Sequence, residues 1–381
     1  MGGIVRTRTI PPMRIESLAF LRKLLDTPSP SGFERDGQRV WLDYVRANGA
    51  TRTWNDAYGN CFAELLPTLA KGAKDPSSLF TIAICGHADE IGLMVQHIDS
   101  NGFIYCRSIG GIDPASIVGK RLQFRSSVKG VTEPVIGLIG ATAIHLQDRT
   151  GDAKVRKLHE LFVDIGAKDE PAARARLNVG DPATFLDSSM MLSDELIVAR
   201  ALDNRIGTWV AAETLRLCAE QPNRNVRIVA VSTVQEEVGL HGAEMIAVSL
   251  HPNVALVTDV GHATDSPGIT QAQHGQFKMG AGPKIAIGGA MQPEVVARLL
   301  ETAERLSIPM QRGATPGTSG TDTDSIFLAG GGIPSGLVSF PIRYMHTTVE
   351  MGHLRDLEQI PLVFAGFCEG LKGDESFAPA L

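Results

Sequence analysis

Two adjacent carboxylates, Glu236 and Glu237, follow an apolar run and are well placed to do chemistry. The run, residues 226–234 (VRIVAVSTV), is rich in β-branched side chains, as is typical of a strand buried on both faces. Gly239 and Gly242 come directly afterwards and bound a turn. Two neighbouring anions at a partly desolvated sheet end repel each other unless a cation lies between them. The pair therefore predicts a bound cation and further ligands elsewhere in the chain.

Residues of ligand type also follow the other predicted strands. His87 and Asp89 follow the apolar run 79–85, and Asp259 follows another. His346 comes shortly after the last such run, and Asp203 stands at the start of a predicted helix, where its charge suits the helix dipole. Because the functional crevice of an open α/β sheet lies at the carboxyl ends of its strands, we expect these side chains to converge there.

The types and number of these side chains predict the kind of metal site. Carboxylate oxygen mixed with imidazole nitrogen suits Zn²⁺, with Co²⁺ and Mn²⁺ as alternatives. One catalytic zinc ion needs three protein ligands and an open position. Five candidate ligands and a free glutamate instead fit two ions, roughly 3.5 to 4 Å apart, that share a carboxylate and a water or hydroxide. Four carboxylates would then balance the charge of the two ions.

The elements that must position these residues alternate between strands and helices, which predicts the α/β class. We expect a mixed, mainly parallel sheet with helices on both faces. Ser31 and Glu34 have the spacing of a capping box and predict the start of a helix that runs to about Ala47. The predicted helices further along are residues 203–220, 293–306 and 355–371.

The pattern of predicted elements changes between residues 93 and 190. Short β-like runs are divided by Gly and Asp turns, and a single helix-like piece interrupts them near residues 169–177. This pattern predicts that residues 93–190 form a small inserted β-barrel. The larger domain would then comprise residues 1–92 and 191–381.

Composition and charge disfavour several classes of partner. The formal net charge of −6 disfavours nucleic acid and anionic membranes as partners. The sequence contains no apolar run of about 18 residues, so we predict no membrane-spanning helix. Residues 1–12 contain basic side chains but no apolar core, so we expect a loose arm and not a secretion signal. Five widely spaced cysteines without a CxxC pair favour a reducing cytoplasm.

Five segments, in order along the chain, carry a resemblance to a known family. They are GHADEIGLMV (86–95), ALDNRIG (201–207), VQEEVGLHGA (234–243), DVGHATDSPG (259–268) and RYMHTTVE (343–350). With them the chain resembles the M42 metallo-aminopeptidases, a zinc-peptidase-like group that has self-compartmentalising tetrahedral members and is loosely labelled glutamyl aminopeptidase or cellulase-like.

The resemblance implies a role for each candidate residue. Asp203 would bridge two metal ions, His87 and Asp259 would complete one site, and Glu237 and His346 the other. Glu236 would be the general base that deprotonates the bridging water, and Asp89 would orient the His87 imidazole. The implied substrates are short peptides with a free N-terminus. The insert would make subunit contacts in a homo-oligomer of dimers, with a dodecamer as one assembly.

Three departures from the family pattern lie close to these residues. Asn204 stands where Asp is common, Thr323-Asp324 stands where small residues are usual, and Thr347-Thr348 replaces a typical Ser-Pro. None of them removes a ligand. They leave the substrate preference and the metal affinity open.

Other interpretations of these residues are also compatible with the sequence. Glu236 and Glu237 alone could be solvated residues at a helix start. Spacing alone does not decide whether His346 or His353 is the metal ligand, but the RYMHTTVE match favours His346. The same site would also serve a metal-dependent amidase or deacylase that acts on a small N-acyl or amino-acid amide substrate. A glycosidase would need a carboxylate pair that works without metal, and a non-catalytic scaffold would not need Glu236.

Overall fold

A computed structural model describes residues 13–68, 78–146 and 155–379, so the N-terminal arm predicted at residues 1–12 lies outside the described residues. The helices are α1 Ile15–Asp26, α2 Arg35–Ala47, α3 Glu170–Arg174, α4 Leu202–Glu220, α5 His241–Leu250, α6 Gln271–His274, α7 Pro293–Arg305, α8 Thr323–Ile326 and α9 Leu354–Glu369. The strands are β1 Arg52–Asn55, β2 Cys61–Leu65, β3 Thr81–His87, β4 Gly92–Ile98, β5 Ile104–Ile109, β6 Arg121–Phe124, β7 Val135–Gly140, β8 Phe162–Asp164, β9 Pro182–Phe185, β10 Met190–Met191, β11 Leu196–Ala199, β12 Arg227–Thr233, β13 Val254–His262, β14 Lys284–Ile287, β15 Gln311–Ala314, β16 Ser335–Arg343 and β17 Glu350–His353.

One large mixed sheet forms the centre of the described chain, in the order β1-β2-β12-β3-β13-β16-β17-β11-β10. Its middle strands β12, β3, β13 and β16 run parallel, and the antiparallel pairs lie towards the margins. Strand β14 pairs with β16 on one side and β15 on the other. The predicted fold class is confirmed. The parallel strands deliver their carboxyl ends to one edge, where the site lies.

Helices cover both faces of this sheet. A Cβ atom added to Gly86 of β3 would lie 2.2 Å from the backbone of Gly207, so α4 packs directly on that face. The next residue, His87, points to the opposite face and is the register partner of Thr233. Thr233 donates a hydrogen bond of 2.5 Å to Asp322, which precedes α8. Helices α4 and α8 therefore lie on opposite faces.

The predicted β-barrel is present and closed, in the strand order β4-β5-β8-β7-β6-β9. It has its own apolar core, which includes Leu93, Ile104, Leu122, Phe124 and Val163. Its strands fall between residues 92 and 185, and α3 is the helix expected near residues 169–177. The domain boundaries at residues 93 and 190 remain a prediction.

The structure corrects two details of the predicted elements that hold site residues. Asp259 does not follow its strand but lies within β13, where it is still paired with Ser339 of β16. Asp203 and Asn204 fall inside the bounds of α4 but have non-helical backbone angles and are joined by a cis peptide bond. Asp203 is therefore not a simple first residue of a helix.

The predicted capping box before α2 is wrong. The Ser31 hydroxyl donates to Asp89, at 2.6 Å, and Glu34 accepts hydrogen bonds from the backbone N–H groups of Gly32 and Gln235, at 2.7 and 3.1 Å. Both side chains therefore support the region around the site and leave the helix without a side-chain cap. In the described part of the chain, no helix combines the length and apolarity needed to cross a membrane.

Replacement of Gly86 by alanine tests the close packing of β3 on α4. The added methyl group would overlap the Gly207 backbone, so we expect a loss of about 1–3 kcal/mol in the free energy of unfolding, measured by urea denaturation. Gly317→Ala is the matched control, because a Cβ there meets nothing within 4 Å. An unchanged urea midpoint for Gly86→Ala would contradict this packing.

Candidate metal centre

Asp203 lies at the centre of the predicted cluster, between two imidazoles. Its Oδ1 lies 3.2 Å from Nε2 of His87, and its Oδ2 lies 3.2 Å from Nε2 of His346. The two oxygens of one carboxylate thus face ligand nitrogens on different sides. This is the arrangement that a carboxylate shared between two cations would need.

The remaining carboxylates lie on either side of Asp203. Asp259 Oδ1 and Glu236 Oε2 lie 3.9 and 3.7 Å from Nε2 of His87. Glu237 Oε2 lies 3.6 Å from Nε2 of His346. Each distance exceeds a hydrogen bond but leaves room for a small cation between the two atoms.

Within the described chain, two groups of three side chains could each hold a metal ion, because the donor atoms of each group lie within 4.8 Å of one another. One group is His87, Glu236 and Asp259, and the other is His87, Asp203 and Glu237. His346 joins them through its contacts with Asp203 and Glu237, so the structure brings together all six residues predicted at the metals or as the base. His353, the alternative to His346, instead accepts the N–H of Arg355 at the start of α9.

The protein groups alone do not stabilise the ionised form of all these carboxylates. Burial raises the pKa of Glu236 to about 8, and burial followed by the charge of Asp203 raises that of Glu237 to about 10. Burial also raises the pKa of Asp259. Burial alone would lower the pKa of His87, but Glu236 and the other nearby carboxylates outweigh it and raise this pKa. Additional positive charge at the cluster would favour the ionised form of these carboxylates.

One carboxylate oxygen supports a metal site directly. Glu237 Oε1 is buried and has no hydrogen-bond partner among the residues that the structure describes. A buried carboxylate oxygen without a partner is costly, and a divalent cation would satisfy it. This oxygen and the imidazole nitrogens of His87 and His346, which lie beside the carboxylates, form a donor set that fits divalent metal ions.

Asp89, the second residue after His87, anchors the Glu236-Glu237 turn to β3. Its Oδ1 accepts the backbone N–H of Glu236 at 3.0 Å, and its Oδ2 accepts that of Glu237 at 3.1 Å. The Nδ1 atom of His87 lies 3.2 Å from the Asp89 carbonyl and 3.3 Å from its Oδ1. One buried carboxylate therefore sets the relative position of an imidazole and both glutamates.

Glu350 is a supporting residue that the sequence reasoning missed. Its Oε2 accepts the backbone N–H of Asp203 at 3.0 Å, and its Oε1 accepts that of His346 at 2.8 Å. The side chain is buried, and His346 has a positive φ of 61°. Glu350 thus holds together the two residues that face each other at 3.2 Å. The signal was its place in RYMHTTVE, four residues after His346, although no charge pattern indicated its partner.

The departures from the family pattern have structural reasons. The Asn204 amide donates to the Thr258 carbonyl at 2.9 Å, a bond that an ionised aspartate could not make. The Asp324 carboxylate accepts the N–H of Gly320 at 2.8 Å and so fixes a loop beside the site. Thr348 is buried and accepts a hydrogen bond from Lys120 of the barrel, which links the His346 loop to the insert.

The chain matches a family model described as M42 glutamyl aminopeptidase over residues 69–361. A putative aminopeptidase of Acetivibrio thermocellus is 34% identical over 291 residues, which cover 75% of this chain and 82% of that protein. The lysyl aminopeptidase of Pyrococcus furiosus is 28% identical, with 93% of this chain and 97% of that protein covered.

Solved structures of peptidases are also similar to this chain. The TET aminopeptidase of a marine-sediment archaeon, Thaumarchaeota archaeon SCGC AB-539-E09, has a TM-score of 0.84 at 28% identity and covers 94% of this chain and 98% of that one. The TET1 peptidase of Pyrococcus horikoshii has a TM-score of 0.80 at 27% identity, covers 93% and 100%, and is described as assembling into a tetrahedron or a large octahedral shell.

The parallel strands of a mixed sheet carry histidines and carboxylates at their carboxyl ends, beside a closed barrel, and with the family match this places the chain in the class of metal-dependent peptide hydrolases. Within that class, the chain belongs to the M42 family of aminopeptidases. This membership implies divalent metal ions at the site, which the donor set fits.

Replacement of Glu350 by glutamine tests its positioning role. The amide keeps one acceptor oxygen but presents an NH₂ group to the other backbone N–H, so Asp203 or His346 loses its support. We expect metal affinity and kcat/KM to fall about 10–100-fold, measured by metal titration and by peptide hydrolysis. Glu301→Gln, at an exposed site on α7, is the control. Wild-type affinity and turnover in Glu350→Gln would contradict the role.

Proposed function

We propose that this chain is a two-metal aminopeptidase that hydrolyses the N-terminal peptide bond of peptides. The observation that carries the proposal is the position of Asp203, whose two oxygens each lie 3.2 Å from a different imidazole. We expect Zn²⁺ as the metal, with Co²⁺ or Mn²⁺ as alternatives, because the donors are imidazole nitrogen and carboxylate oxygen.

The ligands divide into two sets that share one residue. Asp203, His87 and Asp259 would hold one ion, and Asp203, Glu237 and His346 the other. Each ion would then have three protein ligands and an open position, as catalytic sites require. When bound, the ions lower the pKa of a water molecule, polarise the scissile carbonyl and bind the free α-amine of the substrate.

Glu236 is the general base in this proposal. Its Oε2 is close enough to His87 to serve as a ligand, but the other five side chains already complete both sets. Its side chain also lines the cavity at the site. There Glu236 would accept a proton from the attacking water and then donate it to the leaving amine.

Asp89 and Glu350 act through the residues that they hold. Asp89 fixes the backbone of both glutamates and lies against Nδ1 of His87, so that Nε2 points to Asp203 and Asp259. With Nδ1 held, the His87 ring keeps one orientation and one tautomer. Glu350 sets the separation of Asp203 and His346.

We also propose that the barrel, residues 93–190, is a separate domain that makes subunit contacts in a homo-oligomer. Ile136 and Leu138 point outward from β7 and are 42% and 53% exposed, so they offer neighbouring apolar side chains that a second subunit could cover. The relatives that form tetrahedral shells are consistent with dimers that build a dodecamer. Five free, buried cysteines favour the cytoplasm.

Glutamine replacements of the two neighbouring glutamates should separate the roles of metal ligand and base. Glu236→Gln should keep two metal ions per chain and lower kcat by about 10²–10⁴, because only proton transfer is lost. Glu237→Gln should lower the metal content first. Metal analysis and peptide kinetics measure both, with exposed Glu244→Gln as the control. Equal metal loss in both variants would contradict this division.

A substrate panel should separate the aminopeptidase from the other interpretations. We expect turnover of aminoacyl-nitroanilides with a free α-amine, complete loss with a chelator and recovery with added metal. Turnover of N-acyl amino acids alone would favour the amidase or deacylase. Activity on sugars that survives the chelator would favour a glycosidase, and unchanged activity of Glu236→Gln would favour a role without catalysis by this site.

A further inference from the structure

The two histidines of the metal-ligand cluster differ in how the fold holds them. The side chain of His87 is 1% exposed, whereas that of His346 is 37% exposed. Packing and the neighbouring Asp89 therefore fix the His87 ring. The His346 ring is less enclosed, so a further group is needed to set its orientation towards a metal ion.

The barrel approaches His346 at the end of β5. Gly110 and Gly111 follow this strand and form what we call the glycine turn, and Gly111 lines the cavity at the cluster. A Cβ atom added to Gly111 would lie 3.1 Å from Nδ1 of His346 and 3.4 Å from its Cε1. The other ring nitrogen, Nε2, lies 3.2 Å from Asp203. The backbone of the barrel thus lies close to the ring nitrogen that does not contact Asp203.

A hydrogen bond accompanies this close approach. The hydrogen bond and charge of Asp203, together with a hydrogen bond to the Gly111 backbone, outweigh burial and raise the pKa of His346. Since only an acceptor stabilises a protonated ring, the Gly111 group involved is its carbonyl, and the nearby donor is Nδ1. An imidazole that donates from Nδ1 keeps the lone pair of Nε2 free for a metal ion.

The glycine turn also contacts Glu237. A Cβ atom at Gly110 would lie 3.2 Å from Oε2 of Glu237 and 3.3 Å from its Cβ. Gly110 has a positive φ of 71° as well, a conformation that favours glycine. In the proposed two-metal site, Glu237 and His346 are the two ligands that serve one ion alone. Both of them lie against the glycine turn.

Two further contacts fix the barrel relative to these ligands. Ile109, the last residue of β5, pairs with Gly92 at the start of β4, so the glycine turn is held next to the chain that leaves β3. Lys120, directly before β6, donates a hydrogen bond to Thr348, two residues after His346. The barrel therefore contacts both the ligand ring and the loop that carries it.

We propose that the barrel, through the glycine turn and Lys120, positions Glu237 and His346 for one of the two metal ions. This inference rests on the proposed two-metal site and gives the barrel a role beyond subunit contacts. The ligands that serve the other ion alone, His87 and Asp259, lie on strands β3 and β13 of the large sheet. A change at the glycine turn therefore weakens one ion selectively.

The test replaces Gly111 by alanine and measures both ions. The added methyl group would meet His346 at 3.1 Å, so the ring must move by a few tenths of an ångström. We expect the ion at Glu237 and His346 to bind about 10–100-fold more weakly, and the other ion to bind as in the wild type. Calorimetric titration with Zn²⁺ gives both affinities, and an anomalous-diffraction map shows which ion is lost.

The matched control is Gly317→Ala, because a Cβ there meets nothing within 4 Å and neither glycine has a positive φ. Lys120→Met is a second variant, with the exposed barrel residue Lys129→Met as its control. It removes the hydrogen bond to Thr348 and should weaken the same ion. The thermal midpoint establishes that each variant is folded, and Lys120→Met decides the matter if Gly111→Ala does not fold.

Wild-type affinity for both ions in Gly111→Ala would overturn the inference and leave the two-metal site intact. Equal weakening of both ions would overturn it too, because the substitution would then act on the fold as a whole. A wild type that binds a single ion at the cluster would overturn the two-metal proposal and this inference together. Because metal binding is measured without substrate, the result does not depend on which bond the protein hydrolyses.

Discussion

Repulsion among buried carboxylates is the constraint on which the site depends. Asp203, Glu236, Glu237 and Asp259 lie within a few ångströms of two imidazoles, and burial raises the pKa of three of them. The exception is Asp203, whose pKa is lowered because hydrogen bonds to His346 and His87 outweigh the effect of its burial. The most stabilised anion thus lies between the two histidines, and the others surround it. Divalent cations would resolve this repulsion and explain why the fold tolerates it.

The sheet keeps these groups close through carboxylates that bind backbone N–H groups. Asp89 joins the end of β3 to the turn after β12, and Glu350 joins the start of α4 to the loop after β16. Glu34 fixes Gln235, which has a positive φ of 58°, at the same turn. Each of these bonds ties together segments that are distant in sequence. The ligands are therefore positioned by the backbone and do not rely on their own side-chain preferences.

Much of the site could be predicted from the sequence because its residues lie at strand ends. Apolar runs followed by acids and histidines indicated His87, Glu236 and Glu237, and parallel strands bring such ends together. For His346 the spacing left His353 open, and the RYMHTTVE match favoured His346. The barrel could be predicted from short β-like runs between Gly and Asp turns. Asp259 was predicted one position outside its strand, because a carboxylate within a buried strand breaks the apolar pattern.

What could not be predicted depends on contacts between distant segments. The spacing of Ser31 and Glu34 suggested a helix cap. In the fold, however, Ser31 donates its hydrogen bond to Asp89, and Glu34 accepts one from the backbone N–H of Gln235. The sequence likewise did not indicate that β14 pairs with β16, a pairing that places Lys284 opposite Ser339. Pairings of this kind leave no local signal, since each strand alone is compatible with several neighbours.

The central claim is that Asp203 is shared between two metal ions. An anomalous-diffraction map of the metal-loaded protein, collected at the absorption edge of zinc, tests it most directly. The account predicts two peaks roughly 3.5 to 4 Å apart, one on each side of the Asp203 carboxylate, with Glu236 bound to neither. A single peak, or a peak coordinated by Glu236 in place of Asp203, would contradict it.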